Sequence, residues 1–227
     1  GYFALGSNTT GDNNTAYGRD SLYSNTTADD NTAIGHYALR SNTTGSSNCA
    51  VGKNALTGCT TGASNNAFGH TALDAAVTGS YNNAFGQNAL GANTSGHRNT
   101  SIGQDSLQAN TTGQENTAVG NSALAANTTA SYNVAVGGNA LDTCGTSSYN
   151  TAVGYKSLDT LTTGSNVTAI GYQAGDGVTS ASGGVYLGNK AGKDVTSGGQ
   201  QLYIGCDSAS AGNDDTWIYG NDVGACT

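Results

Sequence analysis

A glycine recurs every 17 residues along this chain, at Gly1, Gly18, Gly35, Gly52, Gly69, Gly86, Gly103, Gly120, Gly137, Gly154, Gly171, Gly188 and Gly205. A core assembled from unlike elements lets its loops vary in length. A spacing that admits no insertion means that one small unit stacks on itself, coil upon coil.

The unit reads Asn-Thr-Ala-Val/Ile-Gly-x-x-Ala-Leu-x-x-Asn-Thr-Thr-Gly-x-x, as in the copy from Asn31 to Ser47. An apolar residue precedes each glycine (Tyr17, Ile34, Val51, Phe68, Phe85, Ile102 and onward), and leucine follows four residues after it from Leu5 to Leu158. Two helices do not fit in 17 residues, and Asn, Thr and Gly are poor helix formers. The apolar stretches are three or four residues long and suit short strands. The expected fold is all-β: a parallel β-solenoid or β-roll of about thirteen 17-residue coils, each with two short strands and two turns. At a strand spacing of about 4.8 Å this is a rod roughly 60 Å long.

The columns read as ladders. Asn31, Asn48, Asn65, Asn82, Asn99 and Asn116 share one position, with Asn14, Asn133 and Asn150 continuing it, and Asn8, Asn25, Asn42, Asn93, Asn110 and Asn127 form a second column. Stacked amides can hydrogen-bond along a column or satisfy turn backbone. Gly35, Gly52, Gly69, Gly86, Gly103 and Gly120 are expected at corners that need positive φ or close backbone approach. The absence of proline fits a chain whose strands all donate to a neighbour.

Successive strand residues point to opposite faces, yet Ala33 with Ile34, and Ala38 with Leu39, are apolar pairs in unit after unit. Two-sided apolarity implies burial on both faces. A coil this small encloses one interior, so the alanine column is expected to be covered by another copy of the chain; the alternative is an alanine column left on the surface.

Residues 1–174 are regular repeats. In 175–227 the leucine column gives way to Gly175, Gly192 and Ala209, and the strand motif becomes Val185-Tyr186-Leu187, Leu202-Tyr203-Ile204 and Trp217-Ile218-Tyr219-Gly220. These are read as variant coils leading to a cap or a following domain, since terminal repeats must close the core.

Only 10% of residues are charged and the net charge is −8. That balance argues against nucleic acid, which needs a basic face. No apolar run approaches the roughly 20 residues of a membrane span. The chain opens on Gly1 rather than Met and is expected to be a fragment or processed product. Of five cysteines, Cys59 and Cys144 stand in the second asparagine column; Cys49 could pair with Cys59, and Cys206 with Cys226, or most are small buried residues.

Catalysis needs convergent groups, and here they scatter. His36 and His70 lie two coils apart, and no metal spacing or Ser-His-Asp pattern stands out. No enzyme and no cofactor is expected. Asp142, Asp159 and Asp176 share a column, a weak candidate for a cation, with solvated carboxylates near Lys156 as the plainer reading. The Asn-Thr-Thr turns match glycosylation sequons, but the repeat itself explains them. Tyr81, Tyr132 and Tyr149 stand in the turn before the strand, where aromatic rings could stack on sugars.

Units such as Asn116-Thr117-Ala118-Val119-Gly120-Asn121-Ser122-Ala123-Leu124, with the linker Asn110-Thr111-Thr112-Gly113, resemble the repeats of phage tail fibres. The segment from Leu202 to Gly220 resembles the region preceding an endosialidase-type intramolecular chaperone in such fibres. That chaperone domain is not within these residues, so its trimerising and self-cleaving role is not carried over. The Ala-Val/Ile-Gly core is also similar in architecture to the heads of trimeric autotransporter adhesins, whose repeats are shorter. The resemblance implies a homotrimeric shaft or receptor-binding appendage on a virion or cell surface, with host glycan or receptor as partner. A bacterial trimeric surface adhesin is the alternative. An ice-binding solenoid is a third reading, drawn from paired threonines such as Thr43-Thr44 and Thr111-Thr112.

Overall fold

The computed structural model describes residues 1–75, 77–205 and 216–221. Each coil contributes one three-residue strand: β1 (Thr15–Tyr17), β2 (Thr32–Ile34), β3 (Cys49–Val51), β4 (Asn66–Phe68), β5 (Asn83–Phe85), β6 (Thr100–Ile102), β7 (Thr117–Val119), β8 (Val134–Val136), β9 (Thr151–Val153) and β10 (Thr168–Ile170). After the two-residue β11 (Ser180–Ala181) come β12 (Val185–Leu187), the two-residue β13 (Ser197–Gly198), β14 (Gln201–Gly205) and β15 (Thr216–Asn221). Strands β1 to β10, β12 and β14 pair in parallel, each residue opposite its equivalent 17 positions on, as Ala33 is opposite Ala50. The fold is therefore the all-β parallel solenoid expected, with about 11 turns rather than thirteen. The difference arises at the ends. The turn from Gly1 precedes any strand, and β15 returns antiparallel to β14, with Leu202 opposite Gly220.

The second strand per coil is absent from the regular units. In its place, Ala38 N–H donates to Gly35 O (3.3 Å), Arg40 N–H to Tyr37 O (3.3 Å) and Asn42 N–H to Leu39 O (3.2 Å), three turns in succession. The third residues of the first two turns have positive φ, 63° at Tyr37 and 51° at Leu39, as a type II turn requires. Leucine is an unusual occupant of that region, which costs roughly 1–2 kcal/mol for a residue with a Cβ. Two gains offset it. The Leu39 side chain is wholly buried, and its N–H donates to Ala55 O of the next coil at 3.0 Å.

These turns also decide which residues fill the core. Within the strands the period of two holds: Ala33, Ala50, Ala67 and Ala84 are fully buried while Ile34, Phe85 and Ile102 face outward. Through the turns it fails, because left-handed residues place Ala38 and Leu39 on the same inward side. The alanine column is thus core, not a second face. The outward apolar column is the one before the glycine.

The periodic glycines behave as expected. Gly35 has φ +139°, and a Cβ there would lie 2.3 Å from Gly52 O in the coil above; at Gly86 (φ +142°) it would lie 2.5 Å from Gly103 O. Gly52, Gly69, Gly103 and Gly120 repeat the same geometry. Successive coils touch backbone to backbone at this corner, and only glycine permits it.

Candidate functional site

The two asparagine columns are internal. In the first, the Asn48 backbone N–H donates to Asn31 Oδ1 (2.9 Å), Asn65 N–H to Asn48 Oδ1 (2.9 Å), and Asn116 N–H to Asn99 Oδ1 (3.0 Å). From Asn48 to Asn150 the amide Nδ2 meanwhile crosses to a turn carbonyl, as Asn82 Nδ2 does to Gly96 O at 2.9 Å, whereas Asn31 Nδ2 is buried without a partner. In the second column Asn42 Nδ2 donates to Gly45 O (2.9 Å) and to Asn25 Oδ1 (3.0 Å). The sequons at Asn25, Asn42, Asn93, Asn110 and Asn127 are therefore fully buried, with the amide nitrogen that would carry a sugar occupied from within.

Cys59 and Cys144 stand in for asparagine in that column, donating through Sγ to Gly62 O (3.5 Å) and Ser147 O (3.2 Å). Burial pushes the Cys59 thiol up to about 12 and the Cys144 thiol up to about 11. A thiol cannot also serve the coil below, so Asn42 Oδ1 and Asn127 Oδ1 are left as buried acceptors without a partner. Cys49 lies on the outward side of β3, unpaired; the Cys49–Cys59 bridge does not form, because one residue faces out and the other in. Cys206 and Cys226 lie outside the described residues.

The aspartate column is real but each carboxylate has its own partner three residues earlier. Asn139 Nδ2 donates to Asp142 (3.1 Å), Lys156 Nζ sits 3.3 Å from Asp159, and Gln173 Nε2 donates to Asp176 (3.1 Å). Burial, then the charge of Asp159, raises the Asp176 carboxyl above its ordinary value. Among the described residues no group of three or more His, Cys, Asp or Glu could hold a metal ion.

The threonine that follows each column asparagine spends its hydroxyl inside the stack: Thr43 Oγ1 donates to Thr60 O and Thr111 Oγ1 to Thr128 O, both at 3.0 Å. In the pairs Thr43-Thr44 and Thr111-Thr112 the outer member is exposed and the inner one half-buried.

What the molecule presents outward is of two kinds. Along the sheet runs the pre-glycine column, with Tyr17 75%, Ile34 40%, Ile102 43% and Ile170 44% exposed. Within it Phe68 and Phe85 stack at 4.8 Å, and beside it Tyr155 and Tyr172 stack at 5.8 Å. This face was missed from the sequence because the alanine column was taken for the outer one. Around the corner lie the three tyrosines before the strand, all exposed, with left-handed backbone (φ 64°, 62° and 65°). Tyr132 and Tyr149 stack in adjacent coils at 5.0 Å, whereas Tyr81 stands apart from them, separated by Arg98 and Glu115 in the same column. Among the described residues no helix is long and apolar enough to cross a membrane. Comparison with protein-family models, curated proteins and solved structures finds no match.

Proposed function

We propose that this chain is a structural fibre segment, a shaft or spike of the phage tail-fibre kind or of a similar extracellular appendage, associating as a homotrimer and supporting attachment to a host surface. The observation that carries the reading is the outward apolar column of the sheet. A solvated sheet face ordinarily alternates apolar-in with polar-out. Here the outward position beside the glycine holds Tyr, Ile, Val, Phe or Leu in every described coil. A continuous exposed apolar stripe marks an interaction surface. Its period equals that of the coil, so the partner that matches it over its whole length is another rod of the same repeat, and three such rods can each turn one stripe toward a common axis. The internal ladders give length and stiffness, and the stripe gives association between chains.

The test is solution mass by light scattering, with reductant present. The expected result is a mass of three chains that reductant leaves unchanged, since the apolar stripe and not a disulfide is proposed to hold them; among the described residues Cys49, Cys59 and Cys144 are free thiols. Replacing Ile102 and Val153 by glutamate on the outward face should lower the mass to one chain while circular dichroism keeps its β signature. A monomeric parent chain would overturn the trimer and with it the shaft reading.

A further inference from the structure

One coil departs from the repeat in conformation while keeping its length. Where other units have Asn-Thr-Thr-Gly, this one has Ala76-Val77-Thr78-Gly79. Val77 turns fully into the core, its N–H donating to Ala75 O at 2.8 Å. The donors of this turn are exchanged as a result, while the register between coils is kept. Thr43 N–H and Thr43 Oγ1 both donate to Thr60 O; the equivalent Val77 has no hydroxyl and turns its N–H back, and Thr78 Oγ1 takes the hydroxyl's place on Thr94 O at 3.1 Å, while Thr78 N–H reaches Thr94 O just as Thr44 N–H reaches Thr60 O. Between this turn and the next coil lies a surface groove of about 250 Å³, lined by Thr78, Ser80, Tyr81, Ser95, His97 and Arg98 with the Gly79 backbone.

We propose that this groove binds a carboxylate-bearing sugar. The inference rests on the attachment reading above and adds a ligand class to it. Tyr81 and Arg98 occupy the same column in adjacent coils, so an aromatic plate and a guanidinium stand about one strand spacing apart. Tyr81 is 58% exposed, and its backbone is fixed by a left-handed φ of 64° and a bond from its N–H to Ala63 O (3.1 Å). A ring so held can take the apolar face of a pyranose. Arg98 offers the planar donor fork that matches a carboxylate. Its present partner is Glu115 at 3.5 Å, and both side chains are substantially exposed, so the pair is weak and an incoming carboxylate can replace it. Ser80 Oγ accepts from Ala63 N–H, which leaves its O–H to donate to a sugar oxygen. The groove has room for one sugar ring at the surface, not for an enclosed oligosaccharide. The stacked pair Tyr132 and Tyr149 lacks a neighbouring cation, since Glu115 and Asn166 flank it in the column.

The experiment is NMR titration of the full chain with methyl β-glucuronide and, separately, methyl β-glucoside and acetate. Binding of the glucuronide at least tenfold tighter than of either other probe is expected. Arg98→Gln and Tyr81→Ala should each weaken it tenfold or more, Glu115→Gln should tighten it, and Tyr132→Ala should leave it unchanged. Each variant is checked for parental mass and circular dichroism. Equal affinity for the glucoside or acetate, no binding by the parent, or parental affinity in folded Arg98→Gln would overturn the proposal. Surface adhesion of the same variants keeps the two readings apart. Adhesion that persists in Arg98→Gln and Tyr81→Ala would overturn the groove as the sugar site and leave the attachment reading standing.

Discussion

The regular coils and the two variant coils around Gly175 and Gly192 share one 17-residue frame but fill their interiors in opposite ways. In a regular coil the strand supplies alanine and the turn supplies leucine. In the variant coils the turn supplies glycine and the strand of β12 supplies Tyr186, which is fully buried and stacks on Tyr203 at 5.5 Å. The exchange is steric. A Cβ on Gly192 would lie 2.3 Å from the Tyr186 ring, and one on Gly175 would lie 2.8 Å from Leu158 Cδ2. The backbone meanwhile does not change. The fourth residue after the periodic glycine is left-handed as leucine (φ 52° at Leu158) and as glycine (φ 63° and 65°). Core volume can therefore pass between columns, whereas the corner glycine and the turn conformation stay fixed.

The largest effect should come from attacking the fixed part. Gly86→Ala places a Cβ against the Gly103 carbonyl and demands a φ that only glycine holds comfortably. Neither backbone can yield without losing the ladder, so a loss above ~4 kcal/mol is expected, beyond the usual range for a point substitution. Gly199→Ala, with nothing within 4 Å of the added Cβ, is the matched control and should stay within about 0.5 kcal/mol. Thermal unfolding followed by circular dichroism would register both. A mild Gly86→Ala would mean that the corner is not what holds the period.

The exchangeable part should behave as an exchange. Tyr186→Ala empties a site that glycine at 175 and 192 cannot refill, for a cost of about 3–5 kcal/mol. Gly192→Leu alone collides with the ring and also destabilises. Combined, they restore the alanine-and-leucine pattern of a regular coil, and the double variant should recover at least ~2 kcal/mol relative to the sum of the two losses. Denaturant unfolding of the four chains would decide it, and simple additivity would show that the variant coils are a separate design rather than the same core refilled.

Much of this was legible in the sequence because it depends on the period alone: the parallel register, the role of Gly35 and its equivalents, and the stacking of Asn31 through Asn116. What was hidden depends on backbone that residue type does not advertise. Leucine rarely adopts the positive φ that Leu39 and its equivalents have here, so Ala38 and Leu39 looked like the two faces of a strand when both point inward, and the apolar stripe at Ile34 was assigned to the wrong column. The groove beside Tyr81 was equally hidden, since the inward turn of Val77 leaves the repeat length intact. The loss of asparagine at position 76 was the signal available. The three tyrosines were rightly placed on the surface, but nothing in their common position told that only Tyr81 has a cation beside it.

The mildest prediction concerns the column where the polar ladder gives way to an apolar one. Along it asparagine yields to Cys59, Ala76 and Cys144 and then, toward the variant coils, to Leu161 and Val178. If the ladder is a unit in the regular coils, the cysteines are gaps in it, and Asn42 Oδ1 and Asn127 Oδ1 are the acceptors they strand. Cys59→Asn and Cys144→Asn should each supply the missing amide donor and raise stability by about 1 kcal/mol at neutral pH. Leu161→Asn should lower it, because its neighbours Cys144 and Val178 offer no amide partner. The gain should widen in alkali. The Cys59 thiol is raised in the folded chain, so its contribution is complete below the unfolded value of 9.0 and is lost as pH climbs toward about 12, a loss that asparagine cannot suffer. Parent and Cys59→Asn unfolding curves that diverge steadily above pH 9 would fit the ladder. Parallel curves would place that thiol in contact with water, and a destabilised Cys59→Asn at pH 7 would mean that cysteine is there because an amide does not fit.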